Sequence, residues 1–176
     1  MDTVDGIELH SFAPGSSVRG LGESGCSDVP NAAGVYVVIR AATGVPRFLP
    51  TSSAGRFKGL DPSYPEQMVS DAWVAGATLV YVGKAAGAKG LRQRLGELVR
   101  FAYGANVGHR GGRMLWHLPD WEELLVRWRT CPPHSADAVE AALIERFCEE
   151  HDGRRPYANR RRGNSDGLTA CFPQTE

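Results

Sequence analysis

The pattern of apolar residues along the chain predicts a small β-sheet. Residues 34–40 are β-branched or apolar at consecutive positions, as expected for a strand that is covered on both faces. A second strand is predicted over residues 78–82, before a loop rich in glycine and alanine. Residues 124–130 alternate well enough to predict another strand, and residues 114–118 predict a short one.

Helical periodicity appears between and after these strands. Residues 91–103 predict a helix, because apolar side chains recur at helical spacing at Leu91, Leu95, Leu98 and Ala102. Arg94 lies at the margin of this apolar stripe, so its stem can pack while its head reaches a cleft. A shorter helix is predicted over residues 65–75.

A further helix is predicted over residues 135–150, with Ser135 as its N-cap and Gly153 at its C-terminal stop. At 3.6 residues per turn, one arc of this helix is apolar and consists of Val139, Leu143, Ile144 and Phe147. Glu140 projects into this arc, whereas Glu145 and Glu149 fall on the opposite side. A buried carboxylate must be protonated, paired with a base or bound to a cation. Glu140 is therefore a candidate functional residue.

Composition places these elements in one domain. A chain of 176 residues with 42% hydrophobic content is long enough for one core and short for two. Glycine, serine and proline predict an irregular N-terminal arm over residues 1–33, ordered in part by packing. We expect the domain over residues 34–162, a surface insertion at about 45–76, and a C-terminal tail over 163–176.

Charge and cysteine content limit the functional classes. Twenty Lys and Arg residues balance twenty Asp and Glu residues, so any site for a polyanion must be a local patch. No apolar stretch approaches the roughly 20 residues that a membrane span needs. The four cysteines are widely spaced, without a CxxC pair, and no secretory segment begins the chain. We expect structural thiols, a cytoplasmic location and no membrane partner.

The order of the candidate residues resembles the GIY-YIG nuclease family. The two family tripeptides appear as Gly34-Val35-Tyr36 and Tyr81-Val82-Gly83, the second followed by Lys84. The family's arginine corresponds to Arg94, its metal-binding glutamate to Glu140, and its closing asparagine to Asn159 in Pro156-Tyr157-Ala158-Asn159. Each element alone is a weak signal, but their order and the inward glutamate make the joint match strong.

The resemblance implies an α/β (α+β) fold, with a small, mostly antiparallel sheet flanked by helices. It also implies a hydrolase that cleaves DNA phosphodiester bonds with a divalent metal. Glu140 would bind Mg²⁺, with Mn²⁺ as the alternative, because Mg²⁺ takes oxygen ligands and keeps most of its waters. Arg94 would bind phosphate oxygens through its planar fork.

The same resemblance assigns roles to the remaining site residues. Tyr36 would be the general base, which requires nearby cations to lower a pKa that is ordinarily near 10. Tyr81 would position water or phosphate, and Lys84 would contact phosphate or lower the pKa of Tyr36. Asn159 would orient the site. Taken singly, each tyrosine is more often a packed strand residue, and Glu140 could instead form a structural ion pair.

The sequence departs from the family pattern at two places. A long insertion separates the two tripeptides, and Leu98 stands four residues after Arg94, where the family often has tyrosine or histidine. Tyr103 or His109 would have to supply that polar group from elsewhere. Leu98 favours the alternative that the chain is an inactive nucleic-acid-binding or protein-interaction module, whereas retention of the other site residues favours an enzyme.

Clustered arginines predict the contacts to nucleic acid. The candidates are Arg92, Arg100, Arg110, Arg113 and Arg160. The alternative is that these arginines are solvated surface residues, balanced by neighbouring acids, with no role in binding nucleic acid. The expected partner is duplex, single-stranded or branched DNA, bound by a monomer or a homodimer. Within catalysis, a restriction or defence nuclease and a structure-specific repair nuclease both stay open.

Overall fold

The structure is a computed structural model, and it describes residues 2–109 and 111–160. An N-terminal hairpin consists of β1 (Thr3–Val4) and β2 (Ile7–Glu8). The main sheet is formed by β3 (Ser16–Ser17), β4 (Gly34–Ile39), β5 (Leu79–Ala85) and β6 (Leu125–Thr130). Its four strands are antiparallel and lie in the order β3-β6-β4-β5. β5 therefore forms one edge of the sheet.

In the part of the chain that the structure describes, four helices flank this sheet. They are α1 (Val18–Ser24), α2 (Glu66–Ala72), α3 (Gly90–Ala102) and α4 (Ala136–Glu150). Short 3₁₀ turns cover Phe57–Gly59, Arg113–His117, Trp121–Glu123 and Pro133–Ser135. The expected α+β class, with a small antiparallel sheet between helices, is confirmed.

The core lies on both faces of the sheet. Tyr36 and Val38 of β4 pack with α1 and α3, where Leu95 is fully buried. Val35 and Val37 alternate to the other face and pack with the N-terminal hairpin and with Phe147 of α4. Every residue of β4 is buried, because both faces of this strand are covered. The prediction of a covered central strand is confirmed.

The N-terminal arm is more ordered than the sequence predicted. It contains β1, β2, β3 and α1, and it buries Ile7 and Leu9 against the sheet. The carboxylate of Asp5 accepts hydrogen bonds from the backbone N–H groups of Thr78 and Leu79, at 2.9 and 2.6 Å. The apolar side chains of the arm were too widely spaced to give a periodic signal, but together they cover one face of the core.

One local prediction was wrong, and a second was correct only in position. Residues 114–118 were expected to form a strand, but Arg113–His117 is a 3₁₀ turn that follows Gly112, whose φ is 67°. Its apolar residues are buried on all sides, so the alternation that marks a half-buried strand was never present. Ser135 occupies the N-cap position of α4 as predicted, but its hydroxyl donates to the carbonyl oxygen of Pro132 at 2.9 Å rather than accepting from the first turn.

All four cysteines were expected to be free thiols, and this prediction was wrong for Cys148. Cys148 is disulfide-bonded, whereas Cys26 and Cys131 are free. Spacing along the chain does not show which sulfur atoms approach each other in space. Within residues 2–109 and 111–160, no helix is both long enough and apolar enough to cross a membrane.

Candidate active site

Two grooves meet at the β5 edge of the sheet, and both are lined by Tyr81 and Glu140. The larger groove, of about 760 Å³, lies between the insertion, the loop around Gly111 and the segment that ends at Arg160. The smaller groove, of about 320 Å³, is lined by the end of β5, the loop after it and α3. The predicted site residues are distributed around this junction.

Tyr36 lies against Gly83, its partner across β4 and β5. A Cβ atom at Gly83 would lie 2.4 Å from Cζ and 2.6 Å from the hydroxyl oxygen of Tyr36. Glycine therefore lets the tyrosine ring cross β5 at this point. The ring centroids of Tyr36 and Tyr81 are 5.9 Å apart. The glycine of the second tripeptide thus has a direct steric role in positioning the tyrosine of the first.

Burial dominates the electrostatics of this tyrosine pair. The hydroxyl of Tyr36 is inaccessible to solvent and makes no hydrogen bond of normal geometry within the part of the chain that the structure describes. Burial raises the pKa of Tyr36, although Arg94 and the Tyr81 hydroxyl act to lower it. The pKa of Tyr81 is raised further, by burial first and by Tyr36 second. Nearby cations were expected to lower the Tyr36 pKa, but in this structure burial outweighs them.

Arg94 reaches the junction from α3, and its side chain is 30% exposed. Its Nη1 atom lies 3.9 Å from a carboxylate oxygen of Glu97, which is a loose contact. A Cβ atom at Gly111 would lie 2.3 Å from the Tyr81 hydroxyl oxygen and 3.4 Å from Nη2 of Arg94. The absence of a side chain at Gly111 therefore allows this loop to close over both groups, a contribution that the sequence did not predict.

Glu140 faces the sheet from α4 and is ion-paired. Its side chain is 20% exposed, and Nζ of Lys84 lies 2.5 Å from its Oε2 atom. The same Nζ atom lies 2.6 Å from Oδ1 of Asp137. Burial lowers the pKa of Lys84, but the two carboxylates outweigh burial and the net effect is a raised pKa. An inward carboxylate must be protonated, paired with a base or bound to a cation, and in this structure Glu140 is paired with the base Lys84.

Lys84 and Tyr36 lie on opposite sides of the sheet. Lys84 pairs with Val35 across the two strands and extends toward α4, whereas Tyr36 packs on the side of α3. Lys84 is not among the groups that shift the pKa of Tyr36. Of its two predicted roles, contact with a phosphate is the one that this geometry favours.

The donor set suits a metal ion that keeps most of its waters. No cluster of three or more His, Cys, Asp or Glu residues suited to a metal occurs within residues 2–109 and 111–160. Glu140 is the one carboxylate among the described residues lining the larger groove. Mg²⁺ commonly binds proteins through one or two carboxylates and retains several waters. For such an ion to bind, Lys84 would have to move away from Glu140. The carboxylate of Asp137 already contacts Lys84 and would remain as its partner.

Asn159 covers the open edge of β5. Its Oδ1 atom accepts from the backbone N–H of Val82, and its Nδ2 atom donates to the Val82 carbonyl oxygen, both at 2.8 Å. The preceding residue, Ala158, donates its backbone N–H to the Val80 carbonyl oxygen at 2.9 Å. Asn159 therefore acts like a neighbouring strand and fixes the backbone between Tyr81 and Gly83. Tyr157, two residues before Asn159, is buried, and its hydroxyl donates to the Met114 carbonyl oxygen at 2.9 Å. The sequence analysis gave this tyrosine no role of its own.

His109 is the accessory residue that the structure brings to the site. It is buried, lines the larger groove, and has both ring nitrogens without hydrogen-bond partners of normal geometry among the described residues. Burial lowers its pKa to about 3, with Arg94 contributing in the same direction. Leu98 is fully buried in the core and lines neither groove. Tyr103 lies elsewhere, with its ring centroid 4.8 Å from that of Trp121.

The predicted nucleic-acid arginines separate into two groups. Arg113 and Arg160 line the larger groove. Arg92 instead donates to the carbonyl oxygens of Val29 and Ser27, at 2.7 and 3.1 Å, and so anchors the N-terminal arm. Arg100 is exposed on α3, with Nε 3.4 Å from the Gly96 carbonyl oxygen. Arg110 lies outside the described residues, as do the further basic positions 161 and 162.

The assembled groups have the chemistry needed to bind and polarise a phosphodiester. Arg94 and Lys84 supply positive charge, Glu140 supplies an oxygen ligand, and the two tyrosines supply hydroxyl groups. Comparison with family models, curated proteins and solved structures found no match to the chain. The resemblance described above therefore depends on the sequence motifs and on this geometry.

Proposed function

We propose that the chain is a divalent-metal-dependent endonuclease of the GIY-YIG type, which hydrolyses phosphodiester bonds of DNA. The observation that carries the proposal is the meeting of β4, β5, α3 and α4 residues at one groove junction. Tyr81, Arg94 and Glu140 line the smaller groove. Tyr36 is fully buried and lies behind Tyr81, with ring centroids 5.9 Å apart. A purely structural role would not require an arginine and a glutamate to approach two buried tyrosines.

Arg94 binds the scissile phosphate in this mechanism. Its guanidinium offers two parallel N–H donors to two phosphate oxygens, a contact that lysine cannot reproduce. Its stabilising effect increases as negative charge develops on the phosphorus centre. A divalent cation held by Glu140 would supply Lewis-acid polarisation of the phosphate and assist the leaving oxygen. Lys84 lines the smaller groove and, once released from Glu140, would contact a phosphate oxygen.

Tyr36 is the proposed general base, and Tyr81 orients the attacking water. In this step Tyr36 acts as its phenolate: the water loses a proton to the phenolate oxygen as its own oxygen bonds to phosphorus, and the bond to the leaving oxygen breaks. The negative charge of Glu140 is one of the contributions that raise the pKa of both tyrosines. Neutralising that carboxylate would therefore lower both pKa values and increase the fraction of Tyr36 present as the phenolate, the form that can accept a proton.

The proposed substrate is DNA, bound along the larger groove where Arg113 and Arg160 lie. Arginine side chains at such positions contact phosphates without reading sequence. The enzyme would act as a monomer or a homodimer. A cytoplasmic location belongs to the same proposal, although the Cys148 disulfide is more typical of oxidising compartments.

One observation favours the second candidate function, a catalytically inactive nucleic-acid-binding module. Nζ of Lys84 lies 2.5 Å from Glu140, on the carboxylate that a cation would need. If this ion pair is permanent, the groove binds nucleic acid without cleaving it. Cleavage in the presence of Mg²⁺ separates the two functions.

The proposal is tested by comparing two arginine variants of α3. We expect Arg94→Ala to lower the rate of Mg²⁺-dependent DNA cleavage by about 100-fold or more, because a preorganised charge contact to the transition state is lost. Arg100→Ala is the matched control, since Arg100 lies on the same helix and is exposed. Equal rates in the two variants would contradict the assignment of Arg94, and absence of cleavage by the wild type would favour the inactive module.

A further inference from the structure

The larger groove has an apolar, partly aromatic wall that phosphate chemistry does not require. Phe57 and Tyr64, both from the insertion, are half-buried and present ring surface to the groove. The other apolar lining residues are Leu60, Pro62, Met68, Phe101, Met114 and Ile144. Leu60 is 66% exposed and adds apolar surface to this wall. A site for phosphate alone would expose polar groups at these positions.

Positive charge accompanies this wall. The guanidinium carbon of Arg113 lies 5.2 Å from the ring centroid of Tyr64, and Nζ of Lys58 lies 5.5 Å from that of Phe57. Arg160 lines the same groove. Apolar surface beside cations is complementary to a ligand that combines a flat apolar group with phosphates. Nucleotides have this combination, and proteins that bind single strands pair aromatic side chains with a positively charged groove.

A buried hydrogen-bonding group lies in the same groove. Neither ring nitrogen of His109 makes a hydrogen bond of normal geometry among the described residues, and only the Gly111 backbone interacts with the ring more loosely. This is costly for a side chain that is 1% exposed. Because its pKa is about 3, the ring is neutral at physiological pH. A neutral imidazole offers one N–H donor and one acceptor nitrogen. Such a pair complements the edge of a nucleobase, which carries both donors and acceptors.

Resting on the proposed nuclease function, we propose that the larger groove binds one unstacked nucleobase beside the scissile phosphate, so that the enzyme acts on single-stranded DNA or on unpaired nucleotides of branched DNA. Base faces are available to aromatic side chains only when the base has left the duplex stack. The volume of about 760 Å³ lies within the roughly 300–1,000 Å³ of sites that enclose small ligands. Tyr81 and Glu140 line the same groove, which places the base next to the reaction.

The test measures binding without cleavage. A labelled single strand of about 12 nucleotides, within the usual site sizes of such proteins, is titrated with the protein in EDTA, in parallel with a duplex of the same sequence. We expect the wild type to bind the single strand at least about tenfold more tightly. Phe57→Ala should weaken that binding by about tenfold, because stacking on one ring is lost. Phe57 lies outside both buried core clusters, so this variant should fold.

The controls separate stacking from general effects. Tyr103→Ala removes an aromatic ring that is 49% exposed and packed against Trp121, away from the groove, and should bind as the wild type does. Phe57→Leu keeps apolar bulk but lacks a ring face, and should bind as weakly as Phe57→Ala. A single abasic site moved along the strand should reduce affinity sharply at one position.

The possible results distinguish the two proposals. Equal affinity for duplex and single strand, with no effect of Phe57→Ala, would overturn the base site even if the protein cleaves DNA. Binding of neither nucleic acid would overturn it as well. Preference for the single strand that depends on Phe57 supports the base site, and it does so even if Mg²⁺ produces no cleavage, in which case the nuclease proposal alone fails.

Discussion

At the scale of single residues, the site depends on how burial and nearby charges together set the pKa values of its two tyrosines. Tyr36 and Tyr81 are held by packing, with Gly83 and Gly111 providing the space for their rings and hydroxyls. Burial raises both pKa values, while the positive charge of Arg94 opposes it. Residues that are costly for stability are typical of functional sites. The Tyr36 hydroxyl is of this kind, because it is buried and interacts with Tyr81 and Arg94 without a hydrogen bond of normal geometry.

Tyr36→Phe separates stability from activity. Because the hydroxyl is buried without a hydrogen bond of normal geometry, its removal should leave the free energy of unfolding unchanged or raise it by up to about 1 kcal/mol. Cleavage should fall by about 100-fold or more if the hydroxyl is the general base. Denaturant unfolding and a cleavage assay on the same preparation measure both quantities. A loss of more than about 1 kcal/mol would show that the hydroxyl has a stabilising partner.

His109 predicts a dependence of stability on pH. Its pKa is lowered to about 3 in the folded protein, below the value of about 6.5 expected in the unfolded chain. The unfolded state therefore binds the proton first, and the contribution of His109 is complete above about pH 6.5 and decreases as the pH falls toward 3. Between pH 7 and pH 5, the wild type should lose about 2 kcal/mol more than His109→Gln. Denaturant unfolding at the two pH values tests this, and equal losses would contradict it.

At the scale of elements, the β5 edge brings the site together. The strand pairs with β4 on one side, and on the other its backbone is covered by Ala158 and Asn159 rather than by another strand. This leaves Tyr81 at the junction of two grooves while the neighbouring backbone stays hydrogen-bonded. An edge strand covered in this way avoids pairing with other chains.

Asn159→Ala should loosen this edge. Both hydrogen bonds to Val82 are lost, which should lower the free energy of unfolding by about 1–3 kcal/mol and speed hydrogen exchange of the Val82 amide. Amides of the central strand β4 should exchange as before. Asn106→Ala is the matched control, because Asn106 is exposed and accepts one hydrogen bond from the backbone N–H of Lys58. Unchanged exchange at Val82 would contradict the role given to Asn159.

At the scale of the whole molecule, the sequence predicted elements better than contacts. Periodicity located β4, β5, α3 and α4 to within a few residues, because each has a clear apolar face. Periodicity also predicted that Glu140 faces the sheet. It could not identify Lys84 as the partner of Glu140, because their contact depends on how α4 crosses β5. His109 and Gly111 lie on a loop without periodicity, so their place in the site became visible only in three dimensions.

The basic surface shows the same limit. Arg92 and Arg113 were both predicted to contact nucleic acid, yet one anchors the N-terminal arm and the other lines the groove. The insertion, which sequence alone described only as surface chain, supplies Phe57 and Tyr64 to that groove. A chain with no formal net charge therefore carries a locally basic and aromatic groove. Its contacts to phosphates should weaken as salt increases.

The central claim is that Glu140 supports Mg²⁺-dependent cleavage of DNA at this junction. The most direct measurement is cleavage of matched single-stranded, duplex and branched DNA at low salt, by the wild type, Glu140→Ala and Glu145→Ala. Glu145 is an exposed glutamate of the same helix and serves as the control. We predict Mg²⁺-dependent cleavage by the wild type and Glu145→Ala, and none by Glu140→Ala. Equal cleavage by all three proteins, or cleavage by none of them, would contradict the account.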